Sequence, residues 1–357
     1  MSIDFLIIGG GIAGVSAAAR LSHLGKVVLL EAEDHLAYHT SGRSAALYEP
    51  NYGLAPVVAL SRAGGTHLRG TGVLSPRGML LVATQEERAA FDADREALGL
   101  EEITTDVARD MVPVLDPARL DRAAFGAHAE DIDTDLLIQT FAREARANGA
   151  EIITGARVTA IFRTGGHWRA ESKKGSFEGR ILVNASGAWA DEVAGMAGIR
   201  PIGFTPLRRS MARIPAPGGH DPARWPLIFG AGESWYAKPD AGALIVSPAE
   251  EDPTHPHDAW AEDMVLAEGI ARYQAMVTEP VTRLIASWAG LRTFAPDRVL
   301  VIGPDPVEPS FFWLAGQGGY GFQSAPAASQ LAADLIAGRI PDIDRAMVEA
   351  LSPNRFS

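Results

Sequence analysis

The sequence contains no cysteine. That excludes disulfides, thiolate metal sites, a cysteine nucleophile and any cofactor attached through a cysteine thioether. It also has no excess of basic charge: 32 Lys and Arg stand against 44 Asp and Glu, a formal net charge of −12. Nucleic acid and anionic membrane surfaces need a concentrated basic face, so neither is expected as a main partner. An anionic small molecule is not excluded, because a few buried arginines control a site whatever the overall balance. No apolar run approaches the roughly 18 residues that suggest a transmembrane segment. No basic stretch, apolar core and cleavage site precede the first strand, so no signal peptide is expected. The expected compartment is the cytoplasm, with peripheral membrane association left open. His255 and His257 flank Pro256 in a polar, proline-broken stretch, 250–258, which reads as a surface loop; no metal site is expected.

The length of 357 residues suits two domains. Ile3–Ile8 is a continuous apolar run, as expected of a parallel strand buried on both faces. A glycine turn follows, with Gly9, Gly11 and Gly14 on G-x-G-x-x-G spacing, then a helix to about Leu24 and a strand from Lys26 to Leu30. Glu31 closes that strand, about 20 positions beyond the glycines, which completes a dinucleotide-binding βαβ pattern. Gly9 permits the tight turn, Gly11 lets backbone approach a pyrophosphate, and Gly14 lets helix and strand pack closely. Ile12 and Ala13 open the helix whose N-terminus faces the anion. Glu31 is placed for the ribose hydroxyls; a carboxylate there argues against a 2′-phosphate but does not separate NAD from FAD.

Later segments return to the same architecture. Residues 135–148 read as a helix, 151–154, 157–161 and 181–184 as strands, and 299–302 and 311–315 as two more strands before a helix to about Ile336. Residues 46–130 and 201–290 are richer in Pro, Trp, Tyr and Arg, with alternating strands at 235–238 and 243–247. The expected division is a cofactor domain from 1–45, 131–200 and 291–357, and a substrate domain from 46–130 and 201–290. The fold class expected is α/β with an α+β second domain.

A second G-x-G-x-x-G match occurs at Gly316, Gly318 and Gly321. It is followed by a helix and then no second strand or acid, so a second dinucleotide site is rejected. Seven stretches in order carry a resemblance through nearly the whole chain. They are Gly9–Gly14, His39–Ala46, Asp131–Asp135, Val183–Trp189, Tyr236–Gly242, Trp288–Arg292 and Gly316–Gly321. With these, the sequence resembles the FAD-dependent D-amino-acid oxidase superfamily, and its pattern is most similar to the D-arginine dehydrogenase type.

The resemblance implies a Rossmann-like FAD-binding domain with a mixed, largely antiparallel substrate domain, a glutathione-reductase-like architecture. It implies non-covalent FAD, with adenine near Glu31 and Val158. Ser41, Gly42, Arg43, Ser44, Ala45 and Ala46 would line the pyrophosphate and flavin, with Ser186, Gly187, Trp189 and Gly303 along the cofactor. The second glycine loop, with Gly318, Gly319, Tyr320, Gly321, Phe322 and Gln323, would lie against the isoalloxazine ring. There the following helix would aim its N-terminus at N1–C2=O, where reduced flavin is negative. His39 is read as a packing or hydrogen-bonding histidine.

The resemblance also places Arg292, Arg209 and Tyr236 on the substrate carboxylate, with Tyr52 closing over the site and Gln323 beside the ring. An arginine fork grips a carboxylate bidentately and so orients Cα–H as well. Arg208 beside Arg209 could be either the exposed or the functional one. Gly319 and Tyr320 would border the substrate. Relatives that take cationic substrates carry an acid after Ser75-Pro76-Arg77, where this chain has Gly78 and Met79; Leu47 replaces a polar position. A substrate cation would be left unpaired there on desolvation, so a neutral, apolar side chain is expected, unless an acid such as Glu49 arrives from elsewhere. The implied chemistry is oxidation of a D-amino acid by hydride transfer to flavin N5, giving an imine that hydrolyses to a 2-oxo acid and ammonia. Secondary amines such as sarcosine, 2-hydroxy acids and a non-catalytic flavin-binding sensor are the alternatives. The electron acceptor (quinone, carrier or O2) is open.

Overall fold

The computed structural model describes residues 3–357. Among these, an eight-stranded sheet is built around a parallel core. Ile3–Ile8 lies between Val27–Leu30 and the end of Gly175–Asn184, parallel to both. Glu151–Ile153 extends one side and Phe311–Ala315 the other. All four residues of Val27–Leu30 and all five of Phe311–Ala315 are buried, which explains their unbroken apolar runs. Val301–Pro304 adds an antiparallel edge beside Phe311–Ala315. Val158–Thr164 and His167–Ser172 form an antiparallel meander with the first half of Gly175–Asn184.

The second sheet has nine strands and is mixed. Leu227–Gly230 runs parallel to Met79–Ala83, while the other pairings are antiparallel. Its long ladder joins Thr205–Pro215 to Ala286–Phe294 over nine residue pairs, Thr205 opposite Phe294 through Arg213 opposite Ala286. A small antiparallel sheet of Leu47–Tyr48, Glu130–Ile132 and Leu74–Pro76 lies apart from both. The architecture is α/β, with a mixed second sheet. The expected divisions at 130/131 and 290/291 fall inside Glu130–Ile132 and Ala286–Phe294, so the strands themselves cross them.

Several local expectations shift. The first helix is Ile12–Leu21, and the chain then tightens into a turn in which the Leu24 N–H bonds to Leu21 O at 2.9 Å. The stretch 250–258 is more than a surface loop. Asp252–Pro253 pairs with Leu207 and Arg208, and the Thr254 N–H bonds to Pro206 O. Alternation failed to mark this segment because a two-residue strand has no period to read.

The helix Ile12–Leu21 packs closely over the first strand because Gly14 has no side chain. A Cβ there would stand 1.9 Å from Gly9 O. Gly14→Ala should therefore lower unfolding free energy by about 1–3 kcal/mol or more, as overpacking does. Urea unfolding that leaves the midpoint unchanged would show that helix and strand separate freely.

Candidate active site

A cavity of about 420 Å³ runs from the first glycine turn to the second sheet. At one end Gly9, Gly11, Ile12 and Ala13 form its wall. A Cβ on Gly9 would lie 2.5 Å from Ala185 O, so only glycine, at its φ of +107°, fits the turn. Ser41 Oγ accepts from the Ile12 N–H at 3.0 Å, tying the 40–43 turn to the helix start. Glu31 Oε2 accepts from the Gly10 N–H at 2.6 Å and Oε1 from the Glu33 N–H at 2.8 Å. The acid at the end of the second strand thus braces the glycine turn as well as lining the cavity. Val158, Ser186, Gly187 and Trp189 close this end. His39 hydrogen-bonds Glu33 Oε1 at 3.1 Å and packs on Trp189, ring centroids 4.7 Å apart.

In the middle, Thr40 Oγ1 donates to Leu291 O at 2.9 Å, and Arg43 Nη1 donates to Ala259 O and Ala289 O. Arg43 also pairs with Asp258. Its guanidinium is spent on the opposite wall, so it secures the turn that carries Ser44, Ala45 and Ala46 along the cavity. Lys238 Nζ holds this segment from below, donating to Ala46 O at 2.9 Å and pairing with Asp131 at 2.8 Å.

At the far end Gly318, Gly319, Gly321, Phe322 and Gln323 line the wall. The Gly318 N–H bonds to Thr293 O at 2.9 Å, so the loop rides on the strand that carries Arg292. Arg292 lies directly against Gly319, where a Cβ would come 2.9 Å from Cζ. Arg209 pairs across the ladder with Gly290, and Arg292 with Leu207. Residues two apart share a sheet face, so the two arginines are diagonal neighbours on one face. Arg209 is 3% exposed. Arg208 faces the other way, onto Glu262 at 2.9 Å and Asp252 at 3.5 Å, which resolves which of the pair faces the cavity. Burial, then the like charge of Arg292, pushes the Arg209 guanidinium down. Burial opposes the charge on Arg292 too, but the Tyr52 and Tyr236 phenols and the Glu233 carboxylate outweigh it and raise its pKa. Both arginines stay cationic.

Tyr52 donates to Glu233 Oε2 at 3.0 Å and packs on Tyr320, centroids 5.2 Å apart. Burial raises the Tyr52 pKa, so the phenol keeps its proton. Between the arginines and the opposite wall the floor is apolar: Leu47, Met79, Met211, Leu227 and Phe229, with Tyr236 among them. Glu49 also lines the cavity; Oε1 accepts from the Asn51 N–H at 2.9 Å and Oε2 lies 2.6 Å from His128 Nε2.

Four expected residues lie off the cavity wall. Gly14 packs the helix; Gly42 sits where a Cβ would meet Ala37 O at 2.2 Å. Tyr320 turns its ring behind the loop, against Gly53 and Phe294. Gly303, expected along the cofactor, packs elsewhere on the chain, with a Cβ there 2.8 Å from Pro353 Cδ. Glu33, Glu233, Met211, Leu227 and Phe229 line the wall although no sequence pattern marked them. Glu233 stands three residues before Tyr236 at a φ of +50°, on a loop whose Gly232 N–H is pinned by Asp94 at 2.7 Å. The spacing to Tyr236 was the one available signal.

The residues present fit an elongated dinucleotide cofactor. Glycines and the N-terminus of Ile12–Leu21 form one end, and a second helix start forms the other. Near that second start, Gln323 Nε2 and Thr293 Oγ1 are buried without hydrogen-bond partners on the cavity wall. Such groups are costly unless a bound group satisfies them. The fold and cavity together are those of a flavin-dependent oxidoreductase.

Comparison with known proteins agrees. The family described as DAO, FAD dependent oxidoreductase, matches residues 4–335, and the chain belongs to it. Human mitochondrial dimethylglycine dehydrogenase is 26% identical over 400 residues, covering 99% of this chain and 44% of that protein. This chain thus spans less than half of that relative. Glycine oxidase of Pseudomonas putida is 24% identical over 369 residues, covering 97% of this chain and 98% of that one. In fold, the chain superimposes on L-proline dehydrogenase from P. horikoshii with a TM-score of 0.84, at 22% identity, covering 99% and 98% of the two chains. The chain is thus an FAD-dependent oxidoreductase of this family. Among the described residues no helix is long and apolar enough to cross a membrane.

Burial raises the Glu49 carboxyl above its ordinary value of 4.5, against the lowering effects of the Asn51 N–H and His128. A raised folded-state pKa favours the fold at low pH, and that contribution is lost as pH climbs through the folded value. Relative to Glu49→Gln, the wild type should therefore lose stability as pH rises above about 4.5 and through the raised folded-state value. Urea unfolding of both proteins across that range checks the sign; a wild type that gains on its variant would show that His128 dominates.

Proposed function

We propose that the enzyme oxidises the CH–NH2 group of a D-amino acid with a neutral, apolar side chain. The product is an imine, which water hydrolyses to a 2-oxo acid and ammonia. The observation that carries this reading is the pair Arg209 and Arg292 on one sheet face, at the edge of an apolar floor.

Bound FAD would accept the Cα hydrogen and its electron pair. Every other requirement falls on the chain. Arg292 and Arg209 would take the substrate carboxylate, fixing two of its atoms and therefore the direction of Cα–H. Gly319, lacking a side chain, leaves Arg292 free to lie against the ring-facing loop. The Tyr236 phenol would add a hydrogen bond to the carboxylate, and Tyr52, whose single O–H donates to Glu233, would limit water at the mouth. The substrate amine must be uncharged for Cα–H to leave with its electrons, and no side-chain base is required for that at moderately alkaline pH.

Met79 and Leu47 would receive the substrate side chain. A guanidinium or ammonium there would be desolvated without a partner. The two nearby carboxylates are already engaged, Glu49 by the Asn51 N–H and His128, and Glu233 by Tyr52. The D configuration rests on the motif resemblance. A second reading keeps the carboxylate clamp and changes the amine: glycine oxidase, dimethylglycine dehydrogenase and L-proline dehydrogenase are named for glycine and N-substituted amino acids.

Anaerobic bleaching of the bound flavin separates these readings. D-Leu, D-Met and D-Phe should reduce it faster than D-Arg, glycine, sarcosine, L-Pro or 2-hydroxy acids. Preference for D-Arg would overturn the side-chain assignment, and preference for sarcosine or L-Pro would favour the second reading. Reduction by none would leave a flavin-binding sensor. Arg292→Met should lower kcat/KM by about a hundredfold to a thousandfold, most of it through KM, by removing one partner of a buried charged contact.

A further inference from the structure

We propose that Glu251, which does not line the cavity, is a positioning residue that sets the gripping edge of Arg209, and that Arg298 acts through it. The inference rests on Arg209 being half of the carboxylate clamp.

A guanidinium presents five donors in a rigid fork, so fixing one edge fixes the direction of the other. Arg209 Nε donates to Glu250 O at 3.0 Å, and Nη2 points to Glu251 Oε1 at 3.4 Å. The outer edge is thus held from behind, and the Nη1 side is left for the cavity. Glu251 is itself held. Arg298 Nη2 donates to both of its oxygens, at 2.9 Å and 2.8 Å. Its main chain is locked onto the strand of Arg209, since Glu250 Oε1 accepts from the Ser210 N–H at 2.6 Å and Asp252 pairs with Arg208.

Arg298 has its own anchors. It follows the clamp strand in a turn with a φ of +65°, and its N–H bonds to Ala295 O at 2.9 Å. Its guanidinium stacks over the Phe294 ring, 4.0 Å from the centroid. The same ring sits where a Cβ on Gly318 would be, 2.3 Å from Phe294 Cε1. The contacts therefore run without a gap from the ring-facing glycine loop through Phe294, Arg298 and Glu251 to Arg209.

The need for such a bracket is electrostatic. Arg209 and Arg292 are buried like charges on one face, and repulsion would turn the less enclosed end of Arg209 away from the cavity. A carboxylate on its outer side offsets that repulsion without occupying the gripping edge. Glu251 cannot swing inward to do so, because Arg298 holds both its oxygens.

The test uses the FAD-loaded enzyme, with kcat and KM measured separately and benzoate binding followed by the change in flavin absorbance. Glu251→Gln should raise both KM and the benzoate Kd about 5- to 20-fold and leave kcat within about twofold. Arg298→Gln should do the same although it touches neither the cavity nor Arg209, and the double variant should be no worse than either single one. Glu251→Asp should fall between wild type and Glu251→Gln. Unchanged KM and benzoate Kd in both single variants would overturn the proposal. A fall in either would also overturn it, since Glu251 would then be competing with the substrate for Arg209. Arg209→Met in parallel keeps the two failures apart. If it leaves the benzoate Kd unchanged, the clamp reading fails; if it raises the Kd while the Glu251 and Arg298 variants do not, only the bracket fails.

Discussion

The antiparallel ladder between Thr205–Pro215 and Ala286–Phe294 is the contact on which the site depends. Its register puts Arg209 opposite Gly290 and Arg292 opposite Leu207, and a one-residue slip of either strand would put the two guanidiniums on opposite faces. The same strand receives Thr40 Oγ1 on Leu291 and Arg43 on Ala289, so the cofactor-side turn is registered against it. Thr293 O then receives the Gly318 N–H, which brings in the second glycine loop. The proposed clamp, the 40–43 turn and the second glycine loop are three fittings on one strand. Moving that strand would move them together, which preserves their mutual geometry.

Charge follows the same layout. Two of the cavity's arginines, Arg43 and Arg209, are largely buried, and the carboxylates that meet them and their neighbours come from one short segment after Ser247. Asp258 meets Arg43, Asp252 and Glu262 meet Arg208, and Glu251 meets Arg209 and Arg298. Exposed pairs of this kind add little stability. Their worth lies in direction: each leaves one edge of an arginine committed and the other free. A protein with net charge −12 can thus hold two neighbouring buried arginines without a basic surface.

What could be read from sequence was whatever is local. The first βαβ unit was legible because its strand, glycines, helix and acid fall within one stretch of about 30 residues. The two glycine loops could be told apart because the segment downstream of each is also local: a strand and Glu31 in one case, a helix alone in the other. Arg292 was legible through its motif, and Arg209 only as one of two neighbours, until the ladder chose between them. A glycine in a strand, such as Gly303, signals close approach without naming the partner, and the structure puts Pro353 there. Glu233 was hidden for the opposite reason: an exposed acid in a loop has no pattern, and only the fold brings it to Tyr52. The His128–Glu49 contact and the bracket at Glu251 join residues far apart in the chain. Periodicity does not report such pairings.

The proposal that Arg209 and Arg292 share one carboxylate at the edge of an apolar floor, with the second glycine loop against the flavin ring, is open to direct observation. A crystal structure of the FAD-loaded enzyme soaked with benzoate is the most direct test. The benzoate carboxylate should sit between the two guanidiniums, its ring over Met79, Leu227 and Phe229, and the isoalloxazine against residues 318–323. Benzoate held away from Arg292, or a flavin ring lying against another wall, would contradict it.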